Sequence, residues 1–145
     1  MSVSVFIDTN VFVYAHMANE AIKHKAALDL LNVRLIDERI FVSTQVLGEF
    51  YAAMVKYKRE HKETAQFLNE IVEGANVLGV LLSTVERCLK LKETYGYSYW
   101  DSLILASALD NNCTVVYSED MHHSQVIDGR LTIINPFVGL PENVK

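Results

Sequence analysis

The chain has 145 residues, half of them apolar, with 18 acidic and 13 basic side chains and a formal charge of −5. That length fits one domain over residues 1–145, since domains commonly hold about 100–150 residues, and the apolar share is ample for one continuous core. The negative balance excludes a protein that grips nucleic acid with its whole surface, because such binders neutralise phosphates with clustered Lys and Arg. No stretch approaches the roughly 20 apolar residues of a membrane span, and Val3, Val5, Phe6 and Ile7 follow no basic leader, so a soluble, cytoplasmic protein with no membrane partner is expected. Cys88 and Cys113 lack a zinc spacing and sit among apolar neighbours, as small core residues do.

Val3 to Ile7 is short, β-branched and apolar, which predicts a buried first strand stopping at the polar Asp8-Thr9-Asn10. A helix is expected from about Ala21 to Asp37, where Ala26, Ala27, Leu30, Leu31 and Arg34 follow the three-four spacing. Arg39 to Val42 predicts a second strand, and Ser43 or Thr44 then caps a helix carrying Val46, Phe50, Ala53, Met54 and Tyr57. Further helices are predicted from Lys62 to Glu73, from Ser83 or Thr84 to Gly96, and from a Ser98 cap to Asp110. Val77–Leu82, Cys113–Tyr117 and Leu131–Ile134 complete the strand set. Alternating strands and helices, with strands apolar throughout, predict an α/β fold whose parallel sheet is covered on both faces. Ligands of such sheets bind beyond the carboxyl ends of the strands, where strand order reverses.

Asp8 and Asp120 lie just past predicted strand ends, while Glu49 and Asp101 fall on predicted helices. Each acid alone has a plainer account. Asp8 suits a turn or helix cap, Asp120 a solvated loop, and Asp101 the third position of a capping box begun by Ser98. Glu49 flanks an apolar stripe, where a buried ion pair would also serve. Together, acids from separate elements meeting at one sheet edge match the way a hard cation such as Mg²⁺ is held, by few carboxylates and several waters. That chemistry is metal-assisted phosphodiester hydrolysis.

Four segments carry a resemblance: Phe6-Ile7-Asp8-Thr9-Asn10-Val11, Ser43 to Phe50, Tyr99 to Ala108, and Val116-Tyr117-Ser118-Glu119-Asp120-Met121. In order and separation they resemble the PIN-domain family, small metal-dependent nucleases that include the toxin ribonucleases of toxin–antitoxin pairs. The resemblance implies an α/β/α sandwich on a parallel sheet of about five strands. Asp8, Glu49 and Asp101 would be the core metal-binding acids and Asp120 the fourth, with Asn10 and Ser118 as supporting residues. It also implies Mg²⁺ or Mn²⁺, an RNA substrate, a homodimer, and inhibition by a small antitoxin protein that covers the cleft. Ser124 stands where similar sequences often have Gly. Ser118 and Asp120, two apart, share a side of an extended chain, which selects Asp120 over its neighbour Glu119.

Lys56, seven residues after Glu49, lies on roughly the same helix face and is a candidate substrate contact. Tyr95, Tyr97, Tyr99 and Trp100 suit core or dimer packing, or stacking on bases, and His122 and His123 read as a surface loop pair. Two competing readings are a haloacid-dehalogenase-like phosphatase and a non-catalytic RNA- or protein-binding domain of the same fold. The phosphatase needs a second Asp where this chain has Asn10.

Overall fold

β1 (Ser4–Ile7) is buried at every position, the expected fate of an apolar run with neighbours on both faces. The structure, a computed structural model, describes residues 2–141. After β1 come α1 (Thr9–His16), α2 (Ala21–Asp29), β2 (Arg39–Ser43), α3 (Thr44–Lys56), α4 (His61–Gly74) and β3 (Asn76–Leu78). Then follow α5 (Leu82–Tyr95), α6 (Tyr99–Asp110), β4 (Val115–Tyr117), β5 (Val126–Ile127) and β6 (Leu131–Ile134).

The strands form one six-stranded sheet in the order β3-β2-β1-β4-β6-β5, parallel except for β5, which runs antiparallel to β6. The expected five-stranded parallel sheet is therefore extended by an antiparallel edge strand. The chain reverses there through Asp128 and Gly129, both in the left-handed region at φ 50° and 68°. Asp-Gly is a strong hairpin signal, but β5, with only two residues, is too short to show a strand pattern in the sequence. Strand order turns back between β1 and β4, whose registers pair Ile7 with Tyr117, so the crevice for a ligand opens just past these two residues.

Helices flank the sheet. α6 is buried from Ser102 through Leu109, while α3 buries only the Val46, Phe50 and Met54 stripe. No described helix is long and apolar enough to cross a membrane.

Several boundaries differ from the sequence expectation. α1 was not anticipated: it starts one residue after the strand-ending acid, and Asp8 caps it by accepting the Thr9 N–H at 2.7 Å. The helix expected to Asp37 ends at Asp29 and continues as a π-helical turn, Leu30–Arg34, because Leu35 donates back to the Leu30 carbonyl. Ser43 occupies the cap position of α3, but its buried hydroxyl makes no hydrogen bond. α5 begins at Leu82 rather than at Ser83 or Thr84, since the Thr84 hydroxyl accepts the Leu81 N–H from inside the first turn. β3 spans Asn76–Leu78 and stops before Gly79, short of the expected Leu82. Gly96 ends α5 at φ 77°, and the Ser98 hydroxyl caps α6 by accepting the Asp101 N–H at 3.1 Å, both as the sequence predicts.

Candidate functional site

Three helices start at the carboxyl edge of the sheet. Asp8 caps α1, Ser43 precedes α3, and Ser98 caps α6. Their partly positive N-terminal ends favour anions there. Between them lies a cavity of about 340 Å³ lined by Asp8, Asn10, Glu49, Lys56, Asp101 and Asp120, with Thr9, Tyr14, Tyr57 and Glu119 also on its walls.

Asp8 is almost fully buried. One carboxylate oxygen takes the Thr9 N–H, and the other takes the Ser118 hydroxyl at 2.7 Å. Burial pushes its pKa up to about 7, against the lowering by Ser118 and Thr9 and with the added repulsion of Asp120 and Glu49. Ser118 does double service, because its oxygen also accepts the Asp120 N–H at 3.1 Å. Asn10 completes the clamp: its amide donates to the Asp120 carboxylate at 3.0 Å, and its carbonyl oxygen accepts the Glu119 N–H at 3.3 Å.

Asp101 stands in the first turn of α6. Burial raises its pKa, as do Asp120 and Glu49, while Ser98 opposes the rise. Carboxylate oxygens of Asp8, Asp101 and Asp120 all lie within 4.8 Å of one another. Two ligands of one Mg²⁺ are at most about 4.2 Å apart, twice the metal–oxygen distance, so these oxygens stand close to a binding separation. None of the three acids makes an ion pair with a described residue. Hard oxygen donors, mutual repulsion and a buried carboxylate without a cationic partner fit a divalent cation of the Mg²⁺ or Mn²⁺ type.

Glu49 faces the same cavity but stands outside this tight group. Its oxygens are taken by the Thr9 hydroxyl at 2.9 Å and by the Gln45 amide at 3.4 Å. Gln45 also donates to the Trp100 carbonyl at 3.0 Å, so it ties α3 to the start of α6 beside Asp101. Sequence reading missed Thr9 and Gln45 as supports. Thr9 sat within a motif already singled out, and Gln45 lies one helical turn before Glu49 on the same face.

Glu119 turns away from the acids. It accepts the Tyr14 hydroxyl at 3.0 Å and pairs with Lys23 at 3.0 Å, and Lys23 lies 5.0 Å from the centre of the Tyr14 ring. The two neighbouring acids thus face different ways, Asp120 toward Asp8 and Glu119 toward α2. Among the aromatics, Tyr95, Tyr97 and Tyr99 pack against the core while Trp100 is 61% exposed. His122 and His123 are exposed on the loop after Asp120. Ser124 adopts φ 71°, a glycine-like conformation held by its N–H bond to the Ile133 carbonyl.

Solved structures of similar fold include VapC20 of Mycobacterium tuberculosis, described as a toxin that cleaves the sarcin-ricin loop. It has a TM-score of 0.65 and 18% identity, over 77% of this chain and 86% of that one. A toxin–antitoxin complex from Klebsiella pneumoniae matches with a TM-score of 0.64 and 17% identity, over 91% of this chain and 97% of that one. VapBC2 of Rickettsia felis, bound to a DNA fragment from its promoter, matches at 0.65 and 18%, over 91% and 99%. No curated protein sequence matches the chain significantly. The PIN domain family model matches residues 5–128, a span that takes in β1, the crevice between β1 and β4 and every acid that lines it, and the chain belongs to the PIN domain family.

Proposed function

We propose that this protein is a metal-dependent endoribonuclease acting as the toxin of a toxin–antitoxin pair. The observation that carries the reading is the convergence of Asp8, Asp101 and Asp120 at the topological switch point, none of them paired with a cationic side chain among the described residues. Asp8, Asp101 and Asp120 would hold Mg²⁺ or Mn²⁺ directly, with Glu49 facing it through a water. A divalent cation supplies Lewis-acid polarisation of a phosphodiester and lowers the pKa of water enough for attack near neutral pH.

The chain's own residues do the positioning. Ser118 and the Thr9 N–H fix Asp8 in one orientation, Asn10 fixes Asp120, and Thr9 with Gln45 hold Glu49 at the cavity wall. Glu49, hydrogen-bonded on both oxygens and facing the cavity, is placed to orient or deprotonate a water molecule. A phosphatase acting through Asp8 would need a second acid at position 10; there the Asn10 amide is committed to Asp120.

The similar folds of a toxin and of toxin–antitoxin assemblies support RNA as substrate and an antitoxin as partner. Exposed Leu81, Leu82 and Trp100 suit a homodimer. Cleavage of RNA in Mg²⁺, its loss in EDTA, and its loss in Asp8→Asn and Asp101→Asn with retained circular dichroism are expected. Undiminished cleavage by both variants would sink the reading. Sequencing the RNA ends formed after induced expression, against Asp8→Asn, identifies the target.

A further inference from the structure

The cavity that gathers the acids continues beyond them, between α1 and α3, past Val13 and Ala53 to Lys56 and Tyr57. We propose that this far end is a nucleotide subsite for single-stranded RNA, with Lys56 holding the phosphate beside the scissile one and Tyr57 stacking on the attached base. The proposal rests on the ribonuclease reading of the acids.

Lys56 is the only cationic side chain lining the cavity among the described residues, and it makes no hydrogen bond or ion pair with any of them. Lys23 is different, being neutralised by Glu119. A lone, unpaired ammonium in an otherwise acidic cleft is the group to which an incoming polyanion turns first. Lys56 follows Glu49 by seven residues on α3, on nearly the same face and roughly 10 Å along the axis. Side chains on a helix lean toward its N-terminus, so Lys56 reaches back toward the acids.

Tyr57 caps the helix and is 46% exposed, an aromatic face open to the same cavity. Tyr14 on the opposite wall has its hydroxyl tied to Glu119 and its ring beside Phe137, with centroids 5.0 Å apart, which leaves Tyr57 as the available platform. The whole cavity, acids included, holds about 340 Å³, at the small-ligand end of pocket sizes, about 300–1,000 Å³, which suits a single unstacked strand rather than a duplex.

The test is fluorescence anisotropy of a short labelled single-stranded RNA with full-length Asp101→Asn protein in Mg²⁺, a host that binds without cutting. It is paired with steady-state cleavage by the same changes in the wild type. Tyr57→Ala is expected to weaken binding about tenfold, one stacked base, and to raise KM more than it lowers kcat. The loss should vanish when the RNA carries an abasic nucleotide at one of the two positions flanking the cleavage site. Lys56→Met should flatten the salt dependence by about 0.7, one phosphate on a single strand, whereas Lys90→Met on α5 should not. Unchanged RNA affinity in both cavity variants overturns the subsite, as does a Tyr57→Ala loss that persists at every abasic position. So does a loss of dimer, seen by sedimentation, with RNA affinity intact. If these variants bind normally while Asp8→Asn abolishes cleavage, only the subsite falls; if the wild type neither cuts nor binds RNA, the ribonuclease reading falls with it.

Discussion

The two ends of α6 carry the same residue type in opposite company. Asp101, in the first turn, sits where the helix dipole favours an anion, yet burial and the nearby Asp120 and Glu49 raise its pKa. Asp110, in the last turn, sits where the dipole disfavours an anion, yet the Arg87 guanidinium lies 3.3 Å away and the Thr84 hydroxyl donates to it at 2.7 Å. Partners, and not the dipole, decide what each does. A carboxylate supplied with a cation and a donor is committed to the fold, whereas one placed among other carboxylates leaves a charge for something outside the chain to satisfy.

The sharpest break of that contrast is to neutralise each end in turn. Asp101→Asn is expected to lower RNA cleavage by about 10³-fold, the loss of several kcal/mol of transition-state stabilisation, with thermal stability equal to or above that of the wild type. Asp110→Asn is expected to keep cleavage and lose stability. Initial rates in Mg²⁺ and urea midpoints on both variants check this, and a cleavage loss of similar size from Asp110→Asn would remove the distinction.

Next in size is the pH dependence of Asp8. Its pKa rises from 3.8 to about 7 on folding, chiefly through burial, so between those values the folded chain keeps a proton that the unfolded chain releases. Stability of the metal-free protein should therefore fall as pH rises from about 4 to about 7, by up to about 1.4 kcal/mol per unit, and level off above. Asp8→Asn should lose most of that slope and exceed the wild type at pH 8 in EDTA. Mg²⁺ should stabilise the wild type at pH 8 and not the variant. Urea unfolding across pH with EDTA is the measurement, and a wild-type stability that climbs from pH 4 to 7 contradicts the burial argument.

How much of this contrast was readable in the chain depends on the element. β1 and the stripe of α3 were legible because their apolar spacing is decided locally, and Ser98 and Gly96 marked the ends of the helices around Asp101. α1 was not legible, since it leaves the strand without a loop and its cap is the acid itself. Without α1, nothing in the sequence showed that Thr9 reaches Glu49 or that Asn10 clamps Asp120. The four acids could be named from their positions past strands and on helix faces. Which three stand closest, Asp8, Asp101 and Asp120, is decided by long-range contacts: hydrogen bonds spanning 110 residues of sequence join the Asp8 and Asp120 segments, and the packing of α6 brings Asp101 to them. The Arg87–Asp110 pair was equally hidden, because a helix end and an arginine 23 positions earlier carry no shared signal.

A smaller effect tests the structural side of the contrast. Asp110→Ala removes a partner from Arg87, a pair about one-third exposed, and leaves the buried Thr84 hydroxyl without its acceptor. Solvent screening reduces the first loss to a few tenths of a kcal/mol, and the orphaned hydroxyl adds about 1 kcal/mol. Adding Thr84→Val removes the unmatched donor but also the acceptor of the Leu81 N–H, so the double variant should be less destabilised than the sum of the singles while staying below the wild type. Urea midpoints on the single and double variants decide this, and a double variant as unstable as the sum of the singles would show that the two residues do not act as a pair.

The smallest expected effect concerns backbone company instead of charge. Ser124 holds φ 71° in the loop that follows Asp120, a conformation that costs a residue with a Cβ about 1 kcal/mol and glycine little. Ser124→Gly relieves that strain but gives the unfolded chain more freedom to lose, a term of similar size and opposite sign. The net change should lie within about 0.5 kcal/mol, whereas Ser124→Val, β-branched and forced into the same region, should be destabilised by about 1–2 kcal/mol. Cleavage should survive in the glycine variant, because Asp120 is held from the other side by Asn10 and Ser118. Thermal melts of the three proteins order them; a valine variant as stable as the glycine one would mean that this loop is free to leave the left-handed conformation, and that Asn10 and Ser118 alone keep Asp120 facing Asp8.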